Sequence, residues 1–300
     1  MESLKPIKRS RLRIFLGKRY YRLRRYLEWH LDGKTYALRR ESQQLPYLAF
    51  THRTPLLRQL KDVDMWMQYN KIHNLKIAAS RLNGIIVRPG ETFSYWRIIG
   101  KPTRRKGYLD GMVLSYGRVI SGVGGGLCQM SNLIYWMTLH TPLTVTERHR
   151  HSYDVFPDAG RTQPFGSGAT CAYNYLDLQI RNDTNSTYQL IVYLTDTHLV
   201  GEWRSELPQT RTYEVYERDH LITCEYWGAY VRHNTIYRRV YNLDHELIDD
   251  EYITENHAIM MYEPLLQEGR PEQLGHAKEE SRQQDQPLRH PQQKRQQKPN

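Results

Sequence analysis

Three hundred residues suffice for one large domain or two small ones with a real hydrophobic core. A formal net charge of +11, from 43 Lys and Arg against 32 Asp and Glu, with an isoelectric point near 9.5, favours acidic partners without choosing among phosphorylated metabolites, anionic lipid headgroups and nucleic acid. Cys128, Cys171 and Cys224 are widely spaced and odd in number and show neither a disulfide framework nor a paired zinc-ligand pattern, so a reduced compartment is the simpler reading. No stretch approaches the roughly 20 apolar residues of a membrane span.

The low mean hydropathy of -0.75 implies polar tails around a smaller folded body. Residues 1–35 read as a basic arm or helix. Ten lysines and arginines stand against Glu2 and Glu28 in its first thirty positions, interleaved with Ile14, Leu16, Tyr20, Tyr21, Leu23 and Leu27. Such a segment either lies on an anionic membrane surface or covers the domain as a solvated helix. Ile14-Phe15-Leu16 is far short of a signal-peptide core, so cytoplasmic residence is the default expectation, extended to the inner face of the membrane if the arm binds lipid.

Residues 36–204 form the expected central domain. An extended lead-in to about Arg58 carries Pro46 and Pro55. Ile72, Leu75, Ala78, Ala79 and Leu82 then recur at helical spacing over 70–82, and Asn83-Gly84 is a helix stop. Ile85 to Val87 and Thr92 to Trp96 read as extended pieces around an Arg-Pro-Gly-Glu turn. Residues 101–107 are a basic loop, either solvated or holding an anionic substrate. Met112 to Tyr116 and Val119-Ile120 pair as a hairpin across Gly117-Arg118.

That hairpin leads into Gly122-Val123-Gly124-Gly125-Gly126-Leu127-Cys128-Gln129-Met130-Ser131, followed by the apolar run 133–139. So many glycines make sense where the chain needs positive φ or lets another group approach its backbone. Cys128 is expected on the first turn of a buried helix, where unpaired amides and the helix dipole stabilise a thiolate. The amides of Gly124, Gly125 and Gly126 are candidates for an oxyanion site. Alternatively, Cys128 is a core residue and the glycines serve close packing.

Residues 143–148 are β-branched and strand-like and deliver Arg148-His149-Arg150-His151. A long loop follows over 157–168. Ala169 to Tyr175 and Leu176 to Ile180 then read as a strand or a bent pair, with Leu176, Leu178 and Ile180 facing one way and Asp177 and Gln179 the other. Residues 181–187 turn, and 188–194 return as a strand. The fold class is α+β: a β-meander or mixed sheet packed on a central helix that starts at Cys128. Residues 205–265 read as a β-rich extension, and 266–300 as a disordered tail rich in Gln, Pro and charge. No internal repeat is evident.

Cys128, His151 and Asp177 supply in order a nucleophile, a general base and acid, and an orienting carboxylate. The element order resembles that of transglutaminase-like and papain-like cores. Against this, the two histidines also fit an exposed basic strand end, and Asp177 a solvent-facing position. Cys128, His149 and His151 lack the close ligand pair of a zinc site, so neither metal nor cofactor is expected.

Arg88-Pro89-Gly90-Glu91-Thr92-Phe93-Ser94, the glycine loop through Cys128-Gln129-Met130-Ser131, Glu147-Arg148 followed by His151, and Leu176-Asp177-Leu178 before Arg181-Asn182 together resemble the VanW family over roughly residues 45–204. The resemblance implies a link to vancomycin resistance and the bacterial cell envelope. It does not imply a defined activity. Gly168 stands where members often carry an aspartate, which leaves Asp177 as the surviving carboxylate.

Two functions follow as expectations. One is a Cys-His-Asp hydrolase or acyltransferase acting on an amide or peptide such as a cell-wall (peptidoglycan) precursor. The other is a non-catalytic module binding an anion or peptide through Gly124, Gly125, Gly126, Gln129, Ser131 and Arg148. No nucleic-acid recognition motif is present, and nucleic acid is not an expected partner.

Overall fold

The computed structural model describes residues 9–57, 64–115, 117–156 and 163–262. The first eight residues of the basic arm, Arg58 of the lead-in, Tyr116 of the hairpin, residues 157–162 of the long loop and the 266–300 tail lie outside them. Within the described residues the architecture is α+β and mostly strand.

The amphipathic 70–82 segment is the greater part of a longer helix. After α1 (Arg11–Leu31) and β1 (Tyr47–Pro55), α2 runs over Met65–Leu82 and buries Leu75, Ala78, Ala79 and Leu82. β2 (Ile85–Val87) and β3 (Thr92–Ser94) follow. The expected extended piece 92–96 stops at Ser94. This residue caps a short helix, α3 (Tyr95–Ile99), its hydroxyl accepting from the Arg97 amide.

β4 (Asp110–Ser115) and β5 (Arg118–Val123) form the expected antiparallel hairpin, and α4 (Cys128–Thr138) opens on the cysteine. Eight of its eleven residues are buried. Each buried large aliphatic side chain contributes roughly 1.5–3 kcal/mol.

α4 packs on the strands that follow. β6 is Thr144–Glu147, β7 Tyr153–Asp154, β8 Gln179–Arg181, β9 Tyr188–Leu194 and β10 His198–Ser205. One antiparallel sheet has the order β1-β10-β9-β2, and a second has β3-β8-β6. α4 lies against β10, β1 and β6, with the Trp203 indole donating to Thr138 at 3.1 Å. Residues 169–178, expected as strand, are mostly irregular and pair only through an Ala172–Leu176 bridge.

The β-rich stretch past residue 205 contains three long strands, β11 (Thr212–Cys224), β12 (Tyr230–Tyr241) and β13 (Leu247–Met260). β7 joins their sheet in parallel beside β13. Arg238 ties this sheet to the central body through the Leu139 and Thr141 carbonyls.

The basic arm is a helix held down by polar contacts. Arg25 is buried and reaches both oxygens of Glu147 at 2.6 and 2.5 Å. Tyr26 meets the Tyr173 hydroxyl at 2.6 Å, and Arg97 donates to the Trp29 carbonyl.

Burial would raise the Glu147 pKa, but hydrogen bonds from His149 and Arg25 and the arginine's charge hold it down at about 2. A depressed carboxylate pKa adds stability that is complete above the unfolded value near 4.5 and is lost as pH falls toward 2. Urea melts at pH 7 and pH 3 should therefore show Glu147→Gln destabilised by about 3 kcal/mol at the higher pH, with much of the difference gone at the lower.

Candidate active site around Cys128

The glycine loop works chiefly as a close-packing device. A Cβ on Gly125 would lie 2.1 Å from the Gly111 carbonyl carbon and 2.6 Å from the Met112 nitrogen, so only glycine permits this backbone contact. Gly124 and Gly126 take positive φ, at 76° and 90°. Asn74 of α2 clamps the loop, its amide donating to both the Gly125 and Leu109 carbonyls at 3.0 Å.

The Gly124 and Gly125 amides donate to Leu109 and Gly122 within the protein, which removes them from the expected oxyanion site. Among the described residues, the amides of Gly126, Leu127 and Cys128 have no protein acceptor. These are the open donors at the start of α4.

Cys128 is half-buried as a residue, with its Sγ 3.6 Å from the Cys171 carbonyl oxygen. Its pKa lies well below the ordinary thiol value. The adjacent Cys171 side chain is the largest cause; burial opposes it, and the neighbouring His151 imidazole lowers it further. Cys171 moves the opposite way, raised well above the usual value by burial and by the neighbouring Cys128 thiolate. Its Sγ also lies 2.8 Å from the Ser131 hydroxyl. Tyr95 adds a buried phenol donating to the Leu127 carbonyl at 2.9 Å.

The structure thus brings Cys128 and His151 together. Extended backbone after β6 sends alternate side chains in opposite directions. His149 meets Glu147 at 2.9 Å and His151 meets Cys128, whereas Arg148 and Arg150 reach toward β13.

Asp177 is not brought to the imidazole. It is fully buried, contrary to a solvent-facing position. One oxygen accepts from Ser94 at 2.5 Å and the other from the Trp96 and Leu178 amides at 2.9 Å. Its lone pairs are taken up in capping α3, and among the described residues no carboxylate hydrogen-bonds to His151.

The other expected ligand-binding side chains are engaged internally. Gln129 ties α4 to Thr54 and Pro55. Ser131 is buried with its hydroxyl 2.6 Å from the Ala169 carbonyl. Arg148 binds the Gly166 and Gly168 carbonyls and Asn256.

Cys171, Tyr95 and Glu147 are the neighbours that sequence reasoning left without a role. Glu147 carries a usable signal, because positions i and i+2 of a strand share a face and this places it beside His149. Nothing local marks Cys171, which arrives through an irregular segment 43 residues after Cys128.

Fold and site together define an α+β protein with a cysteine–imidazole pair at the start of a buried helix. Residues 70–204 match the family model described as VanW like protein. The chain is 37% identical over 205 residues to the vancomycin B-type resistance protein VanW of Enterococcus faecalis, spanning 68% of this chain and 74% of that protein. It is 30% identical over 116 residues to the uncharacterized protein YoaR of Bacillus subtilis, 39% of this chain and 37% of that one. The chain belongs to the VanW family. No solved structure matches it.

Two substitutions test these assignments. Gly125→Ala should destabilise the fold by about 3 kcal/mol, because backbone must move. Gly122→Ala, whose Cβ meets only the Val113 side chain at 3.1 Å, should cost much less in the same thermal melts.

Burial raises the Asp177 pKa to about 6 despite its hydrogen bonds. A raised carboxylate pKa favours the protonated folded state, so this contribution falls as pH rises from about 4 through 6. Asp177→Asn should fold, leave the Cys128 thiol pKa nearly unchanged, and gain on the wild type by about 2 kcal/mol between pH 4 and pH 7.

Proposed function

We propose that this protein is a cysteine-dependent amide or peptide hydrolase or acyltransferase, with Cys128 as nucleophile and His151 as general base and acid. The observation that carries this reading is the position of the thiol, which opens α4 with its Sγ 3.6 Å from the Cys171 carbonyl oxygen and beside the His151 imidazole that lowers its pKa. The helix dipole and the imidazole act on Cys128 in the same direction, toward the thiolate.

In the proposed reaction the Cys128 thiolate adds to an amide carbonyl, forming a C–S bond and an oxyanion. The open amides of Gly126, Leu127 and Cys128 are the proposed oxyanion donors. Collapse breaks the C–N bond as the His151 imidazolium gives its proton to the leaving amine. The imidazole then takes a proton from water or an acceptor amine, which attacks the thioester and releases the thiolate. The order of a helix-borne cysteine and a later histidine is similar to that of transglutaminase-like and papain-like enzymes, but here the reading is a dyad.

The Enterococcus relative is named as a vancomycin resistance protein, which makes the peptide portion of a cell-wall precursor the first substrate class to try. Three free cysteines fit a reducing compartment, and the proposed place of action is the cytoplasm. A purely ligand-binding role has less support, because Gln129, Ser131, Arg148 and two loop amides are spent on internal hydrogen bonds.

The test is the pH dependence of iodoacetamide alkylation at Cys128, followed by peptide mapping in a Cys224→Ser background. An apparent pKa well below the free-thiol value of about 8.5 is expected, rising in both His151→Ala and Cys171→Ala. A thiol inert in the folded protein, or one whose pKa ignores His151→Ala, would overturn the reading.

A further inference from the structure

α1 has two faces, and among the described residues one of them packs against the fold. At 100° per residue, Arg25 and Trp29, its two buried residues, lie on one side. Leu12, Leu16, Tyr20, Leu23, Leu27 and Leu31 recur at steps of three and four, which places them within an arc of about 100° on the opposite side. These six are between 52% and 76% exposed. A continuous apolar stripe along about 30 Å of helix is unusual for a surface facing only water.

Its flanks are basic. Arg13 and Arg24 border one edge and Arg19 the other, with Arg19 stacked on the exposed Phe15 ring at 4.5 Å. The helix contains a single acid, Glu28, already paired with Arg24 and Arg25.

We infer that this outer face of α1 is a contact surface for anionic lipid, with the helix lying in the plane of the bilayer interface. The charges choose the occupant. Stacking the stripe on a second copy sets arginines against arginines in either orientation. An anionic headgroup layer neutralises them while its acyl boundary takes up the leucines. No helix among the described residues is long and apolar enough to cross a membrane, so the contact is peripheral. Because Arg25 on the inner face is fixed to Glu147, the bound helix holds the body against the surface.

The experiment is co-sedimentation of the full chain with vesicles of phosphatidylcholine alone and of phosphatidylcholine containing phosphatidylglycerol. Binding to the anionic vesicles and much weaker binding to the neutral ones is expected. Leu16→Gln, Leu23→Gln and Leu27→Gln combined keep charge and helix propensity and should weaken binding roughly 100-fold. Arg13→Gln with Arg19→Gln should weaken it by about 25-fold and flatten its salt dependence. Circular dichroism and melting temperature should match the wild type in both.

Absence of wild-type binding would overturn the inference. So would undiminished binding by the folded leucine variant, which would move the lipid contact elsewhere on this basic chain. A wild-type dimer that the leucine variant converts to monomer would give the stripe to a second copy.

Discussion

The site depends on a contact between two stretches of bare backbone. Gly125 sits so close to Gly111 that any side chain there would enter the opposing carbonyl group. Asn74 binds across the join and fastens it to α2. With the loop pinned at this depth, α4 starts inside the protein, and its first residue meets groups from an irregular segment and from the end of β6. The glycines therefore govern reactivity indirectly, by deciding where the helix begins.

Two acids of this region divide the electrostatic work. Glu147 sits where cations and amides converge on it, accepting from Arg25, His149 and the Asp177 amide. It stays ionised and anchors both α1 and the segment leading to β8. Asp177, deeper and with a hydroxyl and two amides as partners, is pushed toward the protonated form. A buried carboxylate with three neutral donors organises local backbone. The charge that assists the thiol comes instead from His151, the residue the chain leaves available beside it.

Legibility in the sequence followed the range of the interactions. Ile85–Val87, Tyr188–Leu194, the hairpin before the glycine loop and the helix opening on Cys128 were all readable, because short-range pattern and turn chemistry determine them. Thr92 to Trp96 was misread at its end, since the helix start at Ser94 owes its cap partly to Asp177, 83 residues away. Alternation gave the wrong surroundings for Asp177, because residues 177–180 are buried on both sides. The Cys128–Cys171 contact was invisible because it depends on where an irregular segment comes to rest.

α1 inverts the usual logic of a surface helix. Ordinarily the apolar side faces the core and the charged side faces water. Here the docked side uses an arginine, a tryptophan and hydrogen bonds to Tyr173, while the leucines point outward. A buried arginine is a costly docking element unless paired; the two-point contact with Glu147 supplies the ion pair, while the Arg25 Nε is buried without a hydrogen-bond partner among the described residues. Because polar contacts of defined geometry hold the helix, its orientation does not depend on burying its apolar residues. Those residues remain free for a second, apolar environment, and the arginines beside them specify that its boundary is negatively charged.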